Sequence, residues 1–384
     1  METVKLYYED ARTAEFEGTV LSCEPRKDGG YAVALDRTAF NPEGGGQTAD
    51  TGVLGSVRVT DAHERGGIVY HYTDGPLTPG ERVTGRLDWA ERWRKMQNHS
   101  GEHIVSGLIH ARYGYDNVGF HLGEDGCTID LNGELTRTQL DEIEDAANAV
   151  VWRNIPIVAR FPDPEELRTM EYRSKLDLTE NVRIVTIEGV DACACCAPHV
   201  GTTGEVGVIK LLDAMRHRGG VRIWMKSGTD ALRDYRARYT DAAAISALLN
   251  LPQDRLVPGV EKLLSQRDEL KSELIGLQRA ALEARAAALE PTEGHILLFE
   301  NADDAGMRIL ANAGMEKCGG VCAVFSGTDG DYRFVMGSAR RDMRAFAREI
   351  REPLAARGGG QERMISGRCQ ADGETIRAFF RDLA

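Results

Sequence analysis

The sequence lacks any apolar run near the ~20 residues that a membrane-spanning helix needs, and 28% of its 384 residues are charged, so a soluble protein is expected. It lacks the basic start, apolar stretch and small-residue cleavage site of a secretory signal, the first residues being Met1-Glu-Thr-Val-Lys-Leu-Tyr7, which predicts a cytoplasmic protein. It lacks a disulfide framework. Its eight cysteines are spread as Cys23, Cys127, the cluster Cys193, Cys195 and Cys196, then Cys318, Cys322 and Cys369, a distribution that fits a reducing compartment. It also lacks internal repeats, low-complexity tracts and any excess of basic residues. With 47 Lys+Arg against 60 Asp+Glu the net charge is −13, which taken over the whole chain would repel a phosphate backbone. The length points to two or three domains.

What is present divides the chain into an α+β multidomain protein of four segments. Residues 1–88 are short alternating runs broken by turn residues, among them Val20–Cys23, Tyr31–Leu35, Gly52–Leu54 and Gly67–Tyr72, which predict a small β-barrel or sandwich. Residues 89–245 are mixed. Asp88-Trp-Ala-Glu91 has capping-box spacing and opens a helix to about Arg112; a break at Tyr113-Gly-Tyr115 follows, then a hairpin over Val118–Leu131. A second helix to about Val151 opens at Thr136-Arg-Thr-Gln139, and strands are expected at Arg183–Ile187 and Glu205–Leu212. In 246–290, Leu256, Val260, Leu263, Arg267, Leu270, Leu274, Leu277, Ala281, Ala284 and Ala288 alternate four and three apart, the seam of a coiled-coil or helical arm. Such an arm either spaces two modules or pairs two chains as a homodimer. Residues 291–384 alternate strands and helices into a compact α/β domain that carries Gly358-Gly-Gly360.

Chemistry concentrates in two places. His99 and His103, four apart on the first helix, project from one face and can meet one ion. In Asp191-Ala-Cys-Ala-Cys-Cys-Ala-Pro-His199, Cys195 and His199 are again four apart, and three histidines with one cysteine suit tetrahedral Zn2+. Composition does not decide among Cys193, Cys195 and Cys196. His99-Ser-Gly-Glu-His103 also matches H-x-x-E-H, the inverzincin metallopeptidase pattern with Glu102 as general base, but that alternative leaves the cysteine cluster unused.

Pro42-Glu-Gly-Gly-Gly-Gln47, Met96-Gln-Asn-His-Ser-Gly-Glu-His103, Cys195-Cys-Ala-Pro-His199 and Gly219-Gly-Val-Arg-Ile223 together resemble the editing domain shared by alanyl-tRNA synthetases and the freestanding AlaX alanyl-tRNA editing proteins. The resemblance runs over about residues 1–240, and the glycine-bearing tail is similar to the DHH-associated domain of the synthetase and of long AlaX forms. It implies zinc ligands at His99, His103, Cys195 and His199, and a trans-editing hydrolase that deacylates misacylated alanine tRNA. Because the barrel begins near Met1, no adenylate-forming domain is expected, and hence no ligase. This chain has Asn41 where the family commonly has Tyr, and Cys196-Ala-Pro198 where it commonly has Gly-Gly-Thr. The ligand positions survive both changes, while neighbouring contacts and amino-acid preference are affected.

An alanine pocket rejects serine poorly, because small differences in an apolar pocket discriminate by only ~1–3 kcal/mol, so a second sieve must recognise serine positively. By resemblance Thr38 and Gln47 face the bound amino acid, and Gly45 and Gly46 between them permit close backbone approach. The zinc either activates water or anchors the substrate, and no general base is assigned. Charge by segment locates the expected tRNA surfaces. Residues 1–90 hold 9 basic against 15 acidic residues, 205–240 hold 8 against 4, and 333–368 hold 9 against 4. Arg216, Arg218, Arg222 and the backbone at Gly358, Gly359 and Gly360 are the expected tRNA contacts. A non-catalytic tRNA-binding module is the remaining alternative.

Overall fold

In the computed structural model, which describes residues 2–123, 126–174 and 181–383, the chain divides into two compact units, 1–244 and 245–384. Both are mixed α and β, with several separate sheets.

After a short strand and helical turn over residues 4–9, the first unit holds a barrel of six antiparallel strands: β1 (Glu15–Pro25), β2 (Tyr31–Leu35), β3 (Gly52–Leu54), β4 (Val57–Arg65), β5 (Ile68–Thr73) and β6 (Arg82–Leu87). They close in the order β1-β2-β5-β4-β3-β6, with β6 pairing back to β1. Alternation along each strand sends Phe16, Val20, Val33, Leu35, Leu54, Val59 and Val83 inward to a core completed by Phe40.

Helix α1 (Trp89–Tyr113) leaves the barrel at Asp88 and carries both histidines of the H-x-x-x-H pair. Its start is where the sequence places it, but the capping box does not form. The Asp88 carboxylate is held instead by Thr51 and Arg58 of the barrel wall, and Glu91 pairs with Arg94. Polar side chains then fasten the helix to the barrel. Buried Arg92 bonds Asp50 through Nε (2.9 Å) and the Ala11 carbonyl through Nη1 (3.0 Å), and Lys95 Nζ donates to the Ala49 carbonyl (2.6 Å). A buried ion pair with its remaining donors satisfied fixes orientation more than it adds stability.

Beyond α1 come β7 (Asn117–Gly123), β8 (Gly126–Leu131) and α2 (Arg137–Arg153), opened by the expected box of Thr136 and Gln139. Turn residues 124–125 of the expected hairpin, like 175–180 before the next strands, lie outside the described residues. Two sheets flank α1. One runs β9 (Ile157–Arg160), β10 (Ile184–Ile187), β11 (Asp191–Ala194); the other orders β12 (Ile209–His217), β13 (Gly220–Ser227), β8 and β7. The strand expected from Glu205 starts only at Ile209. Residues Thr203–Val206 form a 3-10 turn, and Gly207 at φ +73° reverses the chain before pairing begins. Ile104, Val105, Ile109, Ile129, Ile143, Val185 and Ile223 form one core between α1, α2 and these sheets.

Helix α3 (Gly228–Leu249) follows β13. In the second unit α4 (Leu256–Ala287) is a single 32-residue helix whose seam residues Leu263, Leu270, Leu274 and Leu277 are exposed. The tail comprises β14 (Ile296–Phe299), α5 (Asp304–Met315), β15 (Cys322–Thr328), β16 (Asp331–Gly337), α6 (Met343–Glu349), β17 (Arg357–Gly360), β18 (Met364–Cys369) and α7 (Gly373–Asp382). Its sheet runs β14-β15-β16-β18-β17, with Phe325, Phe334, Phe346 and Phe380 in one core and Met307, Leu310 and Val335 in another. Gly358, Gly359 and Gly360 lie in β17. They are an exposed edge strand in register with Gly367, Ser366 and Ile365, so the ladder to β18 uses part of the backbone expected to face phosphate.

Candidate metal centre

His99 and His103 leave α1 one turn apart toward the segment that follows β11, where Cys195 and His199 stand. The rings of His99, His103 and His199 lie with centroids 4.6 to 5.4 Å apart, and Phe120 packs 4.6 Å from His99. Cys195 Sγ is 3.6 Å from His99 Nε2 and 3.4 Å from His199 Nε2. One ligand atom from each of the four residues lies within 4.8 Å of all the others. Cys195 is therefore the thiol the fold brings to the histidines. Cys196 is exposed, and Cys193 groups with His103 and Asp191 instead.

Each ring is anchored through its other nitrogen. His99 Nδ1 meets Gln47 Oε1 at 2.8 Å, His103 Nδ1 meets Asp191 Oδ2 at 2.9 Å, and His199 Nδ1 meets Ser100 Oγ at 3.0 Å. With every Nδ1 so engaged, the three Nε2 atoms converge with the thiol. Asp191 is itself gripped by Arg173 (Nε–Oδ1 2.8 Å, Nη2–Oδ2 3.0 Å). A histidine whose outer nitrogen is bound to a carboxylate, amide or hydroxyl is the arrangement that fixes tautomer and ring orientation at metal sites. The donor set and its anchoring fit Zn2+.

The four side chains perturb one another strongly. Burial opposes the Cys195 thiolate, yet His99 and His199 beside it and hydrogen bonds from His103 and His199 hold the thiol well below its ordinary range. Burial pushes His199 down to about 3, which keeps it neutral as a ligand. Burial likewise works against charge on His103, but the Asp191 hydrogen bond and the Cys195 thiolate raise it well above its usual value. Asp191 stays below the usual carboxylate range because His103 and Arg173 more than offset its burial.

The other expected site residues fall as follows. Gln47 is fully buried beside His99, and its Nε2 has no hydrogen-bond partner. Gly46, at φ +87°, brings the loop so near β7 that an added Cβ would lie 2.1 Å from the Phe120 carbonyl oxygen, while its own carbonyl accepts the Leu122 N–H at 2.8 Å. Gly45 is also left-handed, in open space. Thr38 is fully buried in the barrel: its hydroxyl lies 2.8 Å from His71 Nε2 and accepts the Phe40 N–H at 3.1 Å. His71 Nδ1 donates to the Val33 carbonyl at 3.0 Å, so Nε2 is the acceptor and the Thr38 proton points to it. Glu102 does not stand free as a base, since its carboxylate is bonded by Ser106 and by Asn117 Nδ2 (2.5 Å). Arg216 and Arg218 are exposed on the β12–β13 hairpin, Arg216 within 3.1 Å of Glu134, but Arg222 is held in a two-point bond to Asp130 (2.6 and 2.7 Å).

Sequence reasoning missed Asp191, Ser100, His71 and Arg173 as partners. Asp191 and Ser100 stand inside the quoted motifs, and a carboxylate entering an otherwise apolar strand was the available signal.

A barrel joined to a helix that presents paired histidines toward a cysteine–histidine turn defines a mixed α+β protein with a candidate metal centre. Residues 182–224, which run from just before β10 through the cysteine turn and β12 into β13, match the threonyl and alanyl tRNA synthetase second additional domain. An alanine–tRNA ligase from Halobacterium salinarum is 33% identical over 359 residues, covering 88% of this chain and 38% of the ligase. The chain thus spans about two fifths of the ligases it matches. The alanyl-tRNA editing protein Aarsd1 of Rattus norvegicus is 28% identical over 384 residues (94% of this chain, 92% of that protein), and the alanyl-tRNA editing protein AlaX-L of Pyrococcus horikoshii is 27% identical over 394 residues (97% and 96%). The chain is thus similar to alanyl-tRNA editing proteins over nearly its whole length, and to alanine–tRNA ligases over about two fifths of theirs.

Proposed function

We propose that this protein is a trans-editing aminoacyl-tRNA deacylase, which hydrolyses the ester joining serine, and also glycine, to the 3′ end of alanine tRNA. The observation that carries this reading is the convergence of His99, His103, Cys195 and His199, each histidine anchored through Nδ1, in a chain whose full-length homologues are named alanyl-tRNA editing proteins.

In this reading the four residues hold Zn2+, which when bound supplies Lewis-acid polarisation or an activated water. The protein's own groups do the rest. Gln47 links two tasks: Oε1 holds the His99 ring, and the unpartnered, buried Nε2 is a donor for an acceptor on the aminoacyl group. A buried donor left unpaired costs ~1–3 kcal/mol, so a ligand atom that pairs with it is favoured by a comparable amount. Thr38, its proton committed to His71, is left only as an acceptor, which suits the hydroxyl proton of serine and offers nothing to alanine. Gly45 stands in open space two positions before Gln47. Arg216 and Arg218 on their hairpin are the basic side chains offered to the tRNA backbone.

The metallopeptidase reading fares less well, because Glu102 is occupied by Ser106 and Asn117 and because a thiol completes the cluster. Cys195→Ala separates the two. Under the editing reading the variant loses both zinc and deacylation of seryl alanine tRNA; a variant that keeps zinc and cleaves peptides would establish the peptidase. A pure binding module would hold tRNA and leave the ester intact.

A further inference from the structure

Arginines buried in the first unit come with carboxylates, with one exception. Arg92 has Asp50, Arg94 has Asp230 and Glu91, and the half-buried Arg173 has Asp191. Arg183, only 4% exposed, has no carboxylate within ion-pair distance among the described residues. Its Nη1 donates to the carbonyls of Cys195 (3.0 Å) and Ala197 (2.9 Å), its guanidinium lies 5.2 Å from the Tyr8 ring, and its Nε is buried without any hydrogen-bond partner. Arginine cannot shed its proton, and a buried unpaired charge is costly. Arg183 also lines a cavity of about 170 Å³ together with Tyr7, Tyr8 and His199. Glu9 and Asp10 also line it, both exposed and neither bonded to Arg183. The cavity thus holds a histidine of the cluster and a guanidinium without a carboxylate partner side by side, and a metal in the cluster would add positive charge there.

We propose that Arg183 is an anion-binding residue that receives the phosphodiester of the 3′-terminal nucleotide, so that the ester on the adjoining ribose is brought to the cluster beside it. The proposal rests on the deacylase reading for the identity of the ligand. The chemistry is that of guanidinium and oxyanion, with Nε and Nη2 as the donors not used by the Cys195–His199 turn. The carboxylate of a released amino acid offers the same chemistry, but a phosphodiester is present before the reaction as well as after it and so can position the substrate.

The test uses binding, which is independent of catalysis. Dissociation constants of the full-length zinc-loaded protein are measured for uncharged alanine tRNA and for the same tRNA whose last phosphodiester is a neutral methylphosphonate. The expected result is about 10- to 100-fold weaker binding of the neutral form by the wild type. Arg183→Gln should bind the normal tRNA as weakly as the wild type binds the neutral one, show no further loss on the neutral form, and have a log–log salt slope shallower by about 0.7. Arg183→Lys should recover part of the loss. Equal wild-type affinity for the two tRNAs overturns the proposal, and needs no variant to be folded. Loss of zinc from Arg183→Gln with unchanged discrimination by the wild type would assign the residue to stapling the cysteine turn. Inhibition by free serine that Arg183→Gln abolishes, with the methylphosphonate tolerated, would assign the site to a carboxylate and overturn the phosphodiester. Absence of deacylation with intact phosphodiester discrimination would overturn the deacylase reading and leave the anion site standing.

Discussion

Replacing Asp191 by Asn tests whether the cluster is organised as a metal centre. Asp191 is 8% exposed and accepts from His103 Nδ1 (2.9 Å) and from two nitrogens of Arg173 (2.8 and 3.0 Å). Asparagine keeps one oxygen, placing an NH2 group against donors, and removes the negative charge that orients the His103 ring. Changes to such outer partners lower metal affinity ~10- to 100-fold, which is about 1.4–2.8 kcal/mol. Breaking the buried pair with Arg173 costs stability as well, up to ~3 kcal/mol or more. Zinc affinity is read by competition against a chelator, under conditions where circular dichroism shows the variant folded. Ser100→Ala, which removes a neutral partner of His199, is the companion and should lose less, about 0.5–1.5 kcal/mol. Asp191→Asn that is folded and binds zinc as tightly as the wild type would refute the reasoning, since His103 would then need no anchor.

Two further outcomes concern the barrel and its loop. Burial pushes His71 down to about 4 from its ordinary 6.5, so the native state binds fewer protons than the unfolded chain between those values. The contribution is complete above about pH 6.5 and lost as pH falls toward 4, by up to about 3 kcal/mol, and His71→Gln should flatten that part of a urea-unfolding pH profile. Gly46→Ala puts a Cβ 2.1 Å from the Phe120 oxygen at φ +87°, and should destabilise by more than ~2 kcal/mol and weaken zinc binding through Gln47 and His99; Gly45→Ala, with no atom within 4 Å, should cost only about 1 kcal/mol.

What could be read in the sequence was local. Helix α1 begins where periodicity changes, and the four-residue spacing of His99 with His103 puts that pair on one helix face, while Cys195 and His199 stand out as a thiol-rich cluster with a nearby histidine. What could not be read depended on partners distant in sequence. The Asp88 carboxylate prefers Thr51 and Arg58 to capping its own helix, Gln47 reaches His99 across 52 positions, and Asp191 reaches His103 across 88. Gly358–Gly360 carries no side-chain signal for a strand, and only its pairing with residues 365–367 makes it one. Charge counts misled in a similar way. In the tail Arg341, Arg344 and Arg363 face Glu349, Asp342 and Glu316, so the surplus of arginines there overstates the free positive surface. The α4 seam was legible as a periodicity, but its exposed leucines show that periodicity alone does not name what covers them.

The central claim is that the buried histidine–cysteine cluster serves an editing ester hydrolase. Single-turnover deacylation of alanine tRNA charged separately with serine, glycine and alanine tests it most directly. The account predicts rapid loss of the seryl ester, loss of the glycyl ester, and an alanyl ester that decays no faster than in buffer. Seryl and glycyl esters as long-lived with the zinc-loaded protein as without it would contradict the claim.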